Sequence, residues 1–281
     1  MLAFVLAALV VLPACSVSED QEVEIGRQNA EQINAKLPMV HDAAVADYIQ
    51  QLGLGIARTT TRADLDWRFF VVDSKEVNAF ALPGGFIYVN RGLIERTTQL
   101  DELAGAIGHE IGHVVRRHSV QQMEKSTGAN VAIGLTCTLT RLCNSGVAQT
   151  AIQVGGAALF ARYSRHDEAE ADSEAVVNVV KAGIDPGGIP SLFERLIEER
   201  RTSPQRIEAF FASHPLEEDR IRATRVEIKR LDPARLHGLV RDDDSFHAFK
   251  ERLHALPALR EPAPQELITP AQLHDAQQPA P

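Results

Sequence analysis

One stretch, LDELAGAIGHEIGHVVRRHS from Leu100 to Ser119, constrains this chain more than any other. Leu100, Leu103, Ala104, Ile107 and Ile111 recur at helical spacing, and Asp101 and Glu102 stand where the positive end of a helix dipole favours acids. Glycines at 105, 108 and 112 each weaken a helix interior, so a helix carrying three of them needs neighbouring backbone packed close against it. On such a helix His109 and His113, four apart, leave the axis about 40° from one another and share a face. Two imidazoles there can offer nitrogens to one zinc ion. Glu110 between them is placed to take a proton from a water activated by that ion.

A catalytic zinc site needs a third protein ligand. The extension HExxHxxGxxH is absent, because Arg116 stands where glycine is required and Ser119 where the third histidine is required. His118 falls five residues after His113, and helical phase points it to another face. The inverted order HxxEH is absent too. A carboxylate from a second helix is the remaining source, and ARYSRHDEAEADSEAVVNVVKAG places Glu168 and Asp172 on one helical face. Asp167, Glu170 and Glu174 read as a solvated acidic side. One carboxylate would ligate the ion while another accepts the free ring N–H of a ligand histidine and so sets its tautomer. Spacing alone leaves Glu168, Glu170 and Asp172 open as the ligand.

HEIGH followed by RYSRHDEAEAD, with NAFALPGGFIYVNRGLI before them and SHPLEEDRI after, resembles the zinc peptidases grouped with HtpX and the CAAX prenyl proteases. Within that family it is most similar to the periplasmic branch typified by BepA and LoiP. The resemblance covers about residues 20 to 230, with the motifs in the family's order. It implies a gluzincin: a zincin-like domain with one zinc ion held by His109, His113 and Glu168, Glu110 as the general base and Asp172 as the partner of a ligand histidine. It further implies that His214, before Pro215, reaches the site either as a fourth, inhibitory ligand or facing the oxyanion of the substrate. Arg220 would hold that segment against the acidic helix or lie on the surface.

Three β-like runs, Trp67 to Val72, Val77 to Leu82 and Gly85 to Val89, are punctuated by turns at Asp73-Ser74 and Pro83-Gly84-Gly85. A sheet edge beside the zinc helix can take an extended peptide as an added strand. The resemblance assigns that role to Asn78, Ala79, Phe80 and Ala81; a hairpin that only covers the core would use the same residues.

Residues 2 to 14 form an apolar run shorter than the ~20 residues of a spanning helix, and read as a signal peptide. Leu12-Pro13-Ala14-Cys15 resembles a lipobox, which predicts lipidation of Cys15, a lipid anchor and the periplasmic side of a Gram-negative outer membrane, although no Lys or Arg precedes Cys15. Cys137 and Cys143 are expected to pair as a local disulfide in that oxidising compartment. The surrounding small-residue-rich stretch would either cover the cleft or form a helical hairpin of the core.

With 44% hydrophobic and 24% charged residues the composition is that of a globular protein, and a net charge of −9 without a basic cluster excludes nucleic acid as a partner. Helical periodicity runs over Val23 to Leu37, Ala43 to Arg58, Ile189 to Arg201, Leu216 to Leu231 and Ser245 to Leu256. The expected fold is therefore α+β and mainly helical, with a small β-sheet beside the HExxH helix. Its expected divisions are a signal peptide over 1–14, a metalloprotease domain over 15–231, a helical extension over 232–256 and a Pro-rich, disordered tail over 257–281, with no tetratricopeptide-type repeat. The expected function is a zinc metalloendopeptidase of the envelope that degrades misfolded or damaged polypeptides. The alternatives are a latent protease, or a chaperone or scaffold that keeps the zinc site; an intact Glu110 speaks against a pure scaffold.

Overall fold

Side-chain caps start several of the helices in the computed structural model, which describes residues 16–125, 163–204, 207–215 and 218–257. Cys15 with the signal segment, the 126–162 stretch with Cys137 and Cys143, and the tail from 258 lie outside the described residues. Helix α1 (Glu19–Lys36) starts at Ser18, which exchanges side-chain and backbone hydrogen bonds with Gln21. Helix α2 (Ala43–Ala57) starts at Asp42, whose carboxylate accepts from the Val45 N–H at 3.2 Å.

Strands β1 (Arg68–Val72), β2 (Ala79–Leu82) and β3 (Phe86–Asn90) follow, in the sheet order β1-β3-β2. Strand β1 runs parallel to β3, while β2 pairs with it antiparallel and takes an edge. One face of the sheet is covered by α1, where Tyr88 stacks between Phe70 and Phe80 at 4.8 Å each and bonds Asn34 through its hydroxyl. The other face, with Phe69, Val71, Ala79, Ala81 and Ile87, joins the main core.

Helix α3 (Arg91–Arg96) leads into α4 (Leu100–Val115), the HExxH helix, which is buried from Leu100 to Val114. Sheet strands, α2 and two later helices, α5 (Arg165–Lys181) and α6 (Gly188–Thr202), surround it. Its glycines make that possible: a Cβ on Gly112 would lie 2.8 Å from the Ala171 carbonyl oxygen, and one on Gly108 would lie 3.1 Å from Val179. With no side chain in the way at Gly108 and Gly112, the backbone of α5 closes on α4, while Gly105 admits Ile189 of α6. Leu103, Ile107 and Ile111 then bury fully against Val45, Ile49, Ala175 and Leu192, each contributing roughly 1.5–3 kcal/mol relative to exposure.

Short α7 (Glu208–Ser213), α8 (Glu218–Arg230), the single turn α9 (Pro233–Leu236) and α10 (Asp244–Ala255) complete the described chain. Phe246, Phe249 and Leu253 of α10 bury in the same core as α4, with Phe249 stacked on Tyr48 at 4.3 Å. This is the mainly helical α+β architecture with a small sheet that the periodicity implies. Among the described residues, no helix is long and apolar enough to cross a membrane.

Candidate metal centre

The close packing of α4 on α5 brings His109, His113 and Glu168 to one point. Helix α5 begins at Ser164 in a capping box with Asp167, which sets Glu168 on the first turn, facing α4. His109 Nε2 lies 3.1 Å from His113 Nε2 and 3.5 Å from Glu168 Oε2, and His113 Nε2 lies 3.6 Å from Glu168 Oε1. Tetrahedral coordination with bonds of about 2.0–2.1 Å separates ligand atoms by about 3.3 Å, so these separations fit a small four-coordinate cation such as zinc. These side chains and His214 keep their ligand atoms within 4.8 Å of one another, all buried, and could hold a metal ion.

Proton bookkeeping tests the same fit. His109 Nδ1 lies 2.9 Å from Asp172 Oδ1. An ionised carboxylate only accepts, so His109 keeps its proton there and turns the Nε2 lone pair inward. Two inward lone pairs 3.1 Å apart repel unless a cation stands between them. Burial alone would lower the pKa of His109, but the carboxylates of Asp172 and Glu168 outweigh it and push it up to about 9. Burial and the charge on His109 take His113 the other way, well below its ordinary value. A proton on His109 Nε2 would thus stand in for the cation that the two inward lone pairs require. Burial opposes ionisation of Glu168, yet His214 and His109 hold it well below the usual carboxylate range. Glu110, buried beside them, is raised by that burial against the pull of His214 and His109, and its Oε2 accepts no hydrogen bond from the described residues.

His214 closes the cluster. Helix α7 ends there, with the His214 N–H on the Phe210 carbonyl, and Pro215 keeps the helix from continuing. The imidazole is 1% exposed, with Nδ1 3.1 Å from Glu168 Oε1 and Nε2 3.5 Å from Glu110 Oε1. Arg220 is buried rather than on the surface. Its Nε and Nη2 donate to the two Asp172 oxygens at 2.8 and 2.7 Å, and Nη1 donates to the Pro215 carbonyl at 3.1 Å. Nη1 also lies against Glu168 Oε2, off the line of a hydrogen bond. The arginine therefore ties α5 to the His214 segment. Burial works to raise the Asp172 pKa, but Arg220 and His109 keep it below its ordinary value.

Two residues here escape the sequence reading. Tyr163, just before α5, stacks on His113 at 3.8 Å, and its hydroxyl meets Ser119 Oγ at 3.0 Å. No spacing rule marks it. His118 does not point to another face, as continued helical phase requires. Helix α4 ends at Val115, Arg117 takes a left-handed φ of 57°, and the chain re-enters helix over 118–125. That break swings His118 Nδ1 to 2.9 Å from His113 Nδ1. Since neither Gly nor Pro stands at the break, the sequence carries no signal for it. Glu170, read as solvated, is half-buried with Oε2 3.3 Å from His118 Nε2. Burial keeps His118 below its ordinary pKa against the pull of Glu170.

The edge strand β2 lies beside α4. The Asn90 N–H bonds the Asn78 carbonyl, so with Ala79 opposite Val89, the backbone groups of Ala79 and Ala81 point away from β3. Asn78 Oδ1 is buried without a hydrogen-bond partner among the described residues.

A helical domain in which one buried helix supplies HExxH, and a second, closed on its glycines, supplies the carboxylate of an ExxxD pair, has the architecture of a two-helix metallopeptidase. The chain belongs to peptidase family M48, whose model matches residues 43–228. It is similar to the beta-barrel assembly-enhancing protease of Escherichia coli, at 26% identity over 243 residues, covering 84% of this chain and 49% of that protein. It is also similar to the metalloprotease LoiP of Escherichia coli, at 26% identity over 210 residues, 74% of this chain and 80% of LoiP. A eukaryotic relative, the mitochondrial metalloendopeptidase OMA1 of Schizosaccharomyces pombe, is 27% identical over 186 residues, 66% of this chain and 53% of that protein. The chain spans about half the length of the beta-barrel assembly-enhancing proteases it matches.

Proposed function

We propose that this chain is a zinc-dependent metalloendopeptidase of the bacterial cell envelope that cuts misfolded or damaged envelope polypeptides and is held latent by His214. The carrying observation is the convergence of His109 Nε2, His113 Nε2 and a Glu168 carboxylate beside a buried Glu110, one of whose oxygens has no hydrogen-bond partner among the described residues. His109, His113 and Glu168 hold the ion, and Asp172 keeps the Nδ1 proton of His109 so that Nε2 is free to ligate. When bound, zinc supplies a Lewis acid that polarises the scissile carbonyl and eases ionisation of water. Glu110 takes the proton of the attacking water and passes it to the leaving amine. The substrate lies along β2 as an added strand over Asn78, Ala79, Phe80 and Ala81, using the outward N–H and C=O groups of Ala79 and Ala81. That mode reads backbone and suits unfolded chains of varied sequence.

The latent reading rests on His214. A structural zinc site is closed by four protein ligands, whereas a catalytic one keeps a position for water. His214 is the fourth of the side chains that could hold an ion together, and its Nε2 lies 3.5 Å from Oε1 of the base Glu110, which supports a blocking role. Activity then requires the segment around His214 to move. The anchor at Cys15 rests on the lipobox-like Leu12-Pro13-Ala14-Cys15, and the envelope location on that motif and on the similarity to the beta-barrel assembly-enhancing proteases. The proposed organisation stays a protease domain over 15–231 with a helical extension, a Pro-rich tail and a Cys137–Cys143 bridge.

Cleavage of unfolded casein by the purified chain, with and without chelator, tests this. Chelator abolishes cleavage, and Glu110→Gln retains zinc but loses at least about 100-fold in rate. His214→Ala cuts faster than wild type. Full cleavage by Glu110→Gln overturns the peptidase mechanism, and loss of activity in His214→Ala overturns the latch in favour of an oxyanion role.

A further inference from the structure

His118 gives the cluster a second layer of order. It is 1% exposed, and its ring meets that of His113 at 71° with centroids 5.0 Å apart. For His113 to offer the Nε2 lone pair inward, its proton must sit on Nδ1. Across 2.9 Å stands His118 Nδ1, which must then be the bare acceptor. A neutral His118 accordingly carries its own proton on Nε2, and Glu170 Oε2, which only accepts, lies 3.3 Å away. Every proton along His113, His118 and Glu170 therefore finds one acceptor.

That proton order also excludes a rival metal site. His118, Asp167 and Glu170 also bring ligand atoms within 4.8 Å of one another. In the tautomer that His113 imposes, His118 Nε2 has no lone pair to give an ion. The trio therefore cannot serve as a second metal site while His113 serves in the first.

We infer that His118 is a positioning residue that fixes the tautomer and ring plane of His113, as Asp172 does for His109, and that Glu170 anchors it in turn. The two ligand histidines are thus held unequally. His109 donates to a buried, ionised carboxylate backed by Arg220, and His113 donates to a neutral imidazole. Because a carboxylate acceptor raises ligand basicity more, His113 is the weaker arm of the site.

This inference rests on the metal site proposed above, and zinc affinity separates the two. The full chain is titrated with zinc against a chromophoric chelator as wild type, His113→Ala, His118→Leu and His118→Asn, and the metal-free thermal midpoint of each is measured. Leucine fills the space without an acceptor and leaves the buried His113 N–H unpaired. Asparagine sets its Oδ1 where Nδ1 stood. Expected are a 10–100-fold weaker zinc affinity for His118→Leu and an affinity within about threefold of wild type for His118→Asn, with similar metal-free midpoints for the two. Wild-type affinity in His118→Leu, or equal weakening in both variants, overturns the positioning role. Undiminished zinc binding by His113→Ala instead overturns the metal site itself.

Discussion

At the first turn of α4, Asp101 shows what a carboxylate costs when its environment pairs it poorly. Among the described residues, neither of its side-chain oxygens accepts a hydrogen bond, and the nearest cation, the exposed Arg241, stands 3.6 Å away. Burial outweighs that cation and raises the Asp101 pKa to about 6 from its ordinary 3.8. Because the folded pKa exceeds the unfolded one, the unfolded chain releases this proton first as pH rises. The contribution to stability is full below about pH 4 and is lost as pH passes through about 6. Asp101→Asn should therefore be more stable than wild type at pH 7.5, by on the order of 1 kcal/mol after allowance for screening by Arg241 and solvent. Thermal melts at pH 7.5 and pH 4 check it: the difference should shrink towards zero at the lower pH. At this same scale the sharing of one helical face by His109 and His113, and of another by Glu168 and Asp172, was legible in the sequence, since side chains four apart on a helix share a face however the rest folds. The choice of Glu168 over Glu170 and Asp172 as ligand came from the family resemblance. His118, Tyr163 and the burial of Arg220 were not legible. Their places depend on a left-handed Arg117 and on which side of α8 meets α5.

Among elements, the pairing of α4 with α5 brings the candidate metal ligands together, and β2 lies beside α4. The three runs of the sheet were readable from alternation and turn residues, with boundaries shifted by a residue or two. Their order was not, because the parallel pairing of β1 with β3 joins runs that are not consecutive. That pairing makes β2 an edge and turns the backbone groups of Ala79 and Ala81 outward. Ala81→Pro removes one outward N–H and leaves every β2–β3 hydrogen bond in place. It should lower kcat/KM on unfolded casein by about tenfold, the loss of roughly one backbone hydrogen bond to a bound strand, without changing zinc content. Unaltered cleavage by a correctly folded Ala81→Pro would move the substrate off this strand.

Across the whole molecule, α1 and α10 lie outside residues 43–228 yet pack into the domain. The joint on the α1 side is polar. Glu22 is fully buried, accepting from Arg62 Nη1 at 2.8 Å, from Arg117 Nε at 2.6 Å and from the Gly84 N–H at 3.3 Å. Arg62 Nη1 also donates to the Val114 carbonyl at the end of α4. One carboxylate thus clamps the end of the HExxH helix, the turn that returns His118, and the approach to β3. Glu22→Ala leaves Arg62 with Glu19 and the Val114 carbonyl, and Arg117 with the Val17 carbonyl, but removes the buried carboxylate that joins them. It should destabilise the protein by about 3 kcal/mol in chemical denaturation, and a change under about 1 kcal/mol would show the clamp to be dispensable.

Local rules of helical phase, turn chemistry and motif spacing reach as far as residues a turn apart, and they were enough to establish a mainly helical chain, an HExxH helix with a carboxylate pair on another, and the chemistry those groups permit. The arrangement of those pieces in space rested with the tertiary structure. His214 lies over 40 residues from Glu168 in sequence and touches it only because Arg220 pins the His214 segment to α5. His118 supports His113 only because a buried carboxylate from the first helix holds the Arg117 turn. Contacts of that range are settled by packing, which no local periodicity encodes.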